Sequence, residues 1–259
     1  MSKYDVGLRR DGIIFNEMVK LIKLYDEIDD PKKIKEKVYS ENYLGKNSDR
    51  RIDDILRAFE KRFSKNTPNW LPPINFLSSA LNAYLPEESK KQLLFPYYLF
   101  SDNLLRTTYE KLIIPSFEER KGLTINKMDI FDFIKQLGNR HKNIKGWSEY
   151  SKKMWGSRFL TFLRIFSILE KYPSTKLNKM YLLPETFAFF TIWLTDNGTP
   201  FRAILAHSIW RFYLMNPEEL IERAYYGNKK DWWYFEKAGA IVTFEPRYSL
   251  EEWLENGLE

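Results

Sequence analysis

The chain of 259 residues contains no cysteine. Disulfides, thiolate metal sites and a cysteine nucleophile are excluded by that alone. Histidine is nearly as scarce, with His141 and His207 the only two and far apart in sequence, so a histidine-rich zinc site is excluded too. Only 11 glycines are present, which disfavours folds that cradle nucleotides in glycine-rich loops. No stretch reaches the roughly 18 apolar residues that a membrane helix needs. The nearest, Tyr181–Leu194, is broken by Pro184 and Glu185. Met1 to Asp11 carries charges and no apolar core, so no secretory signal is expected and the cytoplasm is the expected compartment. The spacings of a nucleophile elbow, a phosphate loop, a dinucleotide fingerprint and a zinc-protease helix are all missing. The expectation is therefore a protein without catalytic residues, cofactor, metal or small-molecule substrate.

What is present points to a packed, helical protein. Hydrophobic residues make up 44% and charged residues 29%, and the aromatic share of 17% is high. Apolar spacing reads as helix almost throughout. Ile14, Met18, Leu21, Ile22 and Tyr25 line one face of a first helix, about 10–27. Asp30-Pro31 reads as an N-cap followed by proline at the first helical position, opening a short helix to about Tyr39. A third helix, capped by Asn47 or Ser48, would bury Ile52, Ile55, Leu56, Phe59 and Phe63. These three form an expected trihelical head, 1–68.

Helices at 73–84, 87–95, 97–113, 127–138 and 148–170 follow, punctuated by Pro86, Pro96 and Pro115, in a central bundle taken as 69–182. The remainder, 183–259, reads as helices at about 184–196, 200–214 and 217–226, then a hairpin at 232–245 and a short last helix from Ser249. That order is the order of a winged helix. The fold class expected is mainly α, with a helix-turn-helix-like head and a winged-helix-like end carrying one β-hairpin.

The charge is unevenly spread. The total is +6. Lys135–Lys171 has nine Lys or Arg against Glu149 and Glu170, a net +7, and Pro31–Asn66 has eleven against six acids, a net +5. Asn216–Glu259 has five against ten, a net −5. Basic segments neutralise phosphates and release counterions, which makes these two islands the candidate nucleic-acid contacts. The residues singled out are Arg50, Arg51, Arg57 and Lys61 in one island, and Arg140, Lys142, Lys145, Lys152, Lys153 and Arg158 in the other. Arg50, Arg57 and Lys61, spaced seven and four apart, share one helical stripe, the layout of a recognition helix. The connection Ser40–Asn47 is longer than the usual turn of about 3–4 residues, which weakens a simple helix-turn-helix.

The alternative for the same residues is a set of solvated helix faces. His141 lies in a basic loop and is read as a phosphate contact or a plain surface residue, and His207 as a packed helix residue. Trp147 and Trp155, flanked by basic residues, are read either as bases' stacking partners or as core. Trp232 and Trp233 are read as docking residues of the wing or as core. The paired carboxylates Asp53-Asp54, Glu87-Glu88, Glu118-Glu119 and Glu218-Glu219 fit helix starts and solvated faces. Glu218, Glu219 and Glu222 make the C-terminal helix a poor groove reader.

Several patches together resemble a known family. Glu41-Asn42-Tyr43-Leu44-Gly45-Lys46-Asn47-Ser48 with Arg62-Phe63 is similar to the opening of the BrxA family of bacteriophage-exclusion (BREX) defence systems. Trp147-Ser148-Glu149 and Trp155-Gly156-Ser157 are similar to its middle. Leu183-Pro184-Glu185, the Gly198–Trp210 segment and Phe235–Pro246 are similar to its end. The resemblance is colinear over most of the chain. It implies a mostly helical fold with helix-turn-helix-like parts and a similarity to the NusB antitermination fold. It also implies a non-enzymatic accessory that binds double-stranded DNA beside a methyltransferase and other defence proteins; the lack of a long apolar run separately gives no membrane as the expectation. Two other roles stay open: a protein–protein scaffold within the defence complex, and a NusB-like RNA-binding module.

Overall fold

The structure is a computed structural model and describes residues 4, 8, 13–28, 30–65, 67–119, 123–239 and 241–258. It is mostly helical. In chain order the helices are α1 (Phe15–Glu27), α2 (Pro31–Ser40), α3 (Asp49–Glu60), α4 (Ile74–Asn82), α5 (Glu87–Ser101), α6 (Asn103–Thr108) and α7 (Ile114–Glu118). They continue as α8 (Lys127–Gly138), α9 (Lys142–Lys145), α10 (Glu149–Ile165), α11 (Pro184–Asp196), α12 (Phe201–Leu205), α13 (Ile209–Phe212) and α14 (Pro217–Lys229). Strands β1 (Trp233–Ala238) and β2 (Ile241–Pro246) form an antiparallel hairpin, and α15 (Leu250–Asn256) closes the described chain. Single turns of π-helix, Lys61–Lys65 and Tyr109–Ile113, extend α3 and α6.

Local signals placed many of these ends. Asp30 accepts the Lys32 amide at 2.8 Å and Pro31 is the first residue of α2. Asn126 with Asp129, Asn216 with Glu219 and Ser249 with Glu252 each form a capping box, in which two otherwise orphaned amides are satisfied reciprocally. Asn197 caps α11, and Gly198, at φ 77°, takes the left-handed conformation that ends it. The expected start of the first helix at 10–12 lies outside the described residues, as does Ala240 at the expected start of the second strand.

Three expected boundaries are corrected. Pro96 does not break its helix: α5 runs through it to Ser101, and the break comes at Asp102, whose carboxylate accepts the Leu104 and Leu105 amides. Proline at 96 removes the N–H that would bond to the Gln92 carbonyl four residues back. The Tyr213 hydroxyl donates to that carbonyl instead, at 2.8 Å. Helix α10 ends at Ile165 and not near 170. Ser167 stands in the left-handed region at φ 58°, and the amides of Ser167 and Ile168 bond to Arg164 and Leu163. No glycine announces that stop. The single helix expected over 200–214 is two short ones, because the Trp210 indole donates to the Ile204 carbonyl and the His207 Nδ1 accepts the Ile209 amide between them.

The described chain gathers into two compact units, each made of separate stretches. One comprises Met1–Met18, Gly45–Thr67 and Phe95–Met180; the other comprises Val19–Leu44, Pro68–Leu94 and Tyr181–Glu259. The chain passes between the units at 18/19, 44/45, 67/68, 94/95 and 180/181.

The first unit is organised on aromatic rings. Phe95, Tyr98, Phe162 and Phe166 are buried together, with centroids of Phe162 and Phe166 4.9 Å apart and of Phe95 and Phe166 5.1 Å apart. Phe63 joins them through Tyr98, and Phe15 through Phe166. Offset and edge-on rings at these separations add about 0.5–1.5 kcal/mol per pair beyond burial.

In the second unit, Gln92 is a polar hub. Its side chain donates to the Tyr181 carbonyl and accepts from the Leu183 amide and the Thr186 hydroxyl. Around it Phe187 packs on Trp210, Trp232 on Trp253, and Trp233 on Phe244. Trp232 and Trp233 are therefore core residues, which removes them as docking residues of the wing. Their indoles donate to the Gly257 and Ala224 carbonyls.

Candidate nucleic-acid interface

All ten basic residues singled out from the sequence belong to the first compact unit. Six of them ride on α8, α9 and α10 and the turns between. The packing of this trio explains why they face outward. Helix α8 buries Ile130, Phe131 and Ile134, α9 buries Ile144, and α10 buries Trp155, Phe159, Phe162 and Leu163. Two glycines permit the close approach. A Cβ at Gly156 would stand 3.5 Å from Ile130, and one at Gly138 would stand 3.5 Å from Ile144 and the Lys145 amide. With the apolar faces turned inward, the long cationic side chains are left to solvent.

Arg140, Lys142, Lys145 and Lys153 are exposed; Lys152 is half-buried. Among the described residues, none of these five pairs with a carboxylate. Lys153 lies 5.5 Å from the centre of the Phe131 ring, a contact that leaves its charge unneutralised. Lys135, on the same trio, is also exposed. Arg158 differs. It is half-buried and its guanidinium donates to the Leu8 carbonyl at 2.8 Å, so its charge is engaged within the protein. Asn143 donates to the Tyr4 carbonyl, and the His141 ring meets the Tyr4 ring edge-on at 4.5 Å. His141 is thus half-buried beside α9 while its lysine neighbours are free.

The second island is more committed. Arg50 is exposed near the start of α3. Arg57 is exposed but bonded to Asp54 at 2.5 Å. Arg51 is half-buried and its charge acts on Glu17. Burial would raise the Glu17 carboxyl, but the Lys46 ammonium at 2.6 Å and the charges of Lys46 and Arg51 outweigh it and hold the group below the usual carboxylate range. Lys61 opens the π turn, half-buried, and its charge acts on the buried Asp102 carboxylate. The stripe expected of Arg50, Arg57 and Lys61 therefore has one uncommitted member, Arg50. Helices α2 and α3 belong to different compact units.

Trp147 and Trp155 are buried, Trp155 completely, which removes both as base-stacking platforms. The aromatic residue that does face solvent here is Tyr150, 71% exposed in the first turn of α10 and three residues before Lys153. Helical phase carried that signal: Tyr150 is on the side of α10 opposite Phe159. Among the described residues no cluster of three or more His, Asp or Glu is placed to hold a metal ion, and no helix is long and apolar enough to cross a membrane.

The sequence profile of the BrxA family matches residues 2–191, nearly three-quarters of the chain. The chain belongs to the BrxA family. Membership places it among the components of BREX phage-defence systems, the class that the sequence resemblance implied. No curated protein matches the chain. Among solved structures, a similar fold is that of an uncharacterized protein from Magnetospirillum magneticum. The two share 12% identity with a TM-score of 0.58, over 76% of this chain and 94% of that one. At that identity the likeness concerns the fold alone.

Proposed function

We propose that this BrxA-family protein is a non-enzymatic, cytoplasmic accessory that binds duplex DNA, acting beside the other proteins of its defence system, a methyltransferase among them. The observation that carries the reading is the exposed cationic surface of α8, α9 and α10. Arg140, Lys142, Lys145 and Lys153 project from one packed trio and have no carboxylate partner among the described residues. Unneutralised cations on a rigid surface are what a phosphate backbone engages. Arg50 supplies a second, separate contact, and Tyr150 an aromatic face beside the lysines. Arg158, Arg57 and Lys61 are assigned supporting roles, since their charged groups already have partners within the protein.

The test is the salt dependence of duplex binding. Four to six phosphate contacts (about −0.9 per contact) give a slope of log K against log salt near −4 to −5. Replacing Lys142, Lys145 and Lys153 together by alanine is expected to flatten that slope by up to about three and to weaken all sequences alike. Arg50→Ala is expected to change sequence preference if it reads a guanine, a contact worth about 1–3 kcal/mol of discrimination. Thermal melting of each variant checks that the fold is intact. A folded triple variant with the parent's affinity and slope would remove the α8–α10 surface from the reading. Tighter binding of structured RNA than of duplex DNA would favour the NusB-like alternative.

A further inference from the structure

The second compact unit carries an open sheet edge set in an acidic surface, and we infer that it accepts an extended, lysine- or arginine-bearing segment of a partner protein as a third strand. The two edges of the hairpin are treated differently by the fold. The β1 edge is closed at Phe235: α14 packs along it, and the Phe235 amide donates to the Asn228 side chain at 2.8 Å. The β2 edge is open. The last ladder pair is Ala238 with Ile241, separated by two residues, so it is a hydrogen-bonded pair. Counting along the register, the main-chain groups of Val242 and Phe244 then point away from β1. Among the described residues no acceptor takes either amide. Sheet edges are commonly blunted by lysine, proline or a bulge; on β2 the only such residue is Pro246 at its last position, so the open stretch is Ile241-Val242-Thr243-Phe244.

Charge decides the partner. Tyr234, Glu236, Thr243 and Glu245 share the solvent face of the hairpin. Tyr234 donates to the Glu236 carboxylate at 2.6 Å, and neither Glu236 nor Glu245 pairs with a cation among the described residues. Glu218, Glu222, Glu251 and Glu255 are exposed on α14 and α15 within the same unit, and with Glu236 and Glu245 they outnumber the exposed Lys229, Lys230 and Lys237, the last of which stands opposite Val242. A second copy of the chain adding its own β2 would bring two such acidic faces together, whereas a basic segment would neutralise one. In the added strand alternate residues face the same side, so cations at every second position would meet Glu245 on the neighbouring strand, with Glu236 one strand further on. This surface is distinct from the α8–α10 lysines, and the inference does not depend on DNA binding.

The experiment uses the full chain and two fluorescent eight-residue peptides, one alternating valine with lysine and one alternating valine with glutamate. Binding of the lysine peptide is expected, at least tenfold tighter than that of the glutamate peptide. Val242→Pro removes an outward-facing amide without removing a ladder bond, a substitution that edge strands tolerate. It is expected to weaken lysine-peptide binding at least tenfold with unchanged helical signal and melting. The double substitution Glu236→Lys with Glu245→Lys is expected to reverse the peptide preference. The triple variant of Lys142, Lys145 and Lys153 should bind the peptide as the parent does.

Should Val242→Pro fail to fold, hydrogen exchange in the parent replaces it: the peptide is expected to slow exchange at Val242 and Phe244. Equal binding of both peptides, binding of neither, parental binding by folded Val242→Pro, or unchanged exchange at those amides would overturn the inference. So would a dimer in sedimentation that Val242→Pro dissociates, since the edge would then belong to a second copy.

Discussion

Gly227 and Trp233 illustrate how single residues are fixed in this protein by what they touch. Gly227 lies inside α14, where glycine ordinarily costs about 1 kcal/mol relative to alanine. Here it is required, because a Cβ at that position would fall within the Trp233 indole. The indole is fully buried, donates to the Ala224 carbonyl one turn away, and packs on Phe244. Gly227→Ala therefore forces the tryptophan out of its place. The expected result is a loss of about 1–3 kcal/mol or more, read from denaturant unfolding. A gain of the size that helix propensity alone predicts would show that the ring relocates without cost.

Helix α5 shows the same dependence on distant partners at the level of an element. Its proline sits mid-helix, and the helix survives because the Tyr213 hydroxyl takes the carbonyl that Pro96 leaves open. Tyr213→Phe removes that donor and leaves a buried acceptor unsatisfied, with an expected cost of about 1–3 kcal/mol. Pro96→Ala restores the backbone donor. In the double variant the cost of losing the hydroxyl is expected to shrink to a fraction of its value in the parent background, a coupling measurable by a double-mutant cycle. Additive effects would mean that the hydroxyl does not substitute for the missing amide. Elements whose ends rest on local chemistry behave differently. The capping boxes at Asn126, Asn216 and Ser249 use partners three residues away, which is why their positions were legible in the sequence.

For the whole molecule, the two compact units are interleaved along the chain. The C-terminal stretch from Tyr181 depends on earlier residues of its own unit: Gln92 holds Tyr181 and Leu183, and the Trp193 indole donates to the Trp70 carbonyl. A fragment of residues 183–259 carries the hairpin and α11 to α15 but loses these partners. It is expected to show weak helical signal and no cooperative melting transition, in contrast to the full chain. A cooperatively folding fragment would mean that the winged-helix-like order of elements is self-sufficient. The charge distribution also belongs to this scale. The ten basic residues singled out from the sequence fall in one unit and the acidic, strand-edge surface in the other.

The sequence by itself determined the helical class, the single hairpin near the C-terminus, most helix starts and the location of the charge islands. Each of these rests on residues within one or two turns of one another: apolar spacing, caps, prolines at first positions, and the glycine after α11. It also carried the family, through several short patches in a fixed order. Tertiary structure alone decided which aromatic residues were free. Trp147, Trp155, Trp232 and Trp233 admitted both an exposed and a buried reading, because burial depends on what packs above a helix or strand face. It decided which cations were spent, since Arg158 and Lys61 meet groups 150 and 41 positions away. It also carried α5 through Pro96 with a hydroxyl from position 213 and stopped α10 at a serine. In each case the deciding partner is remote in sequence, and no local pattern encodes a contact that only the folded chain brings together.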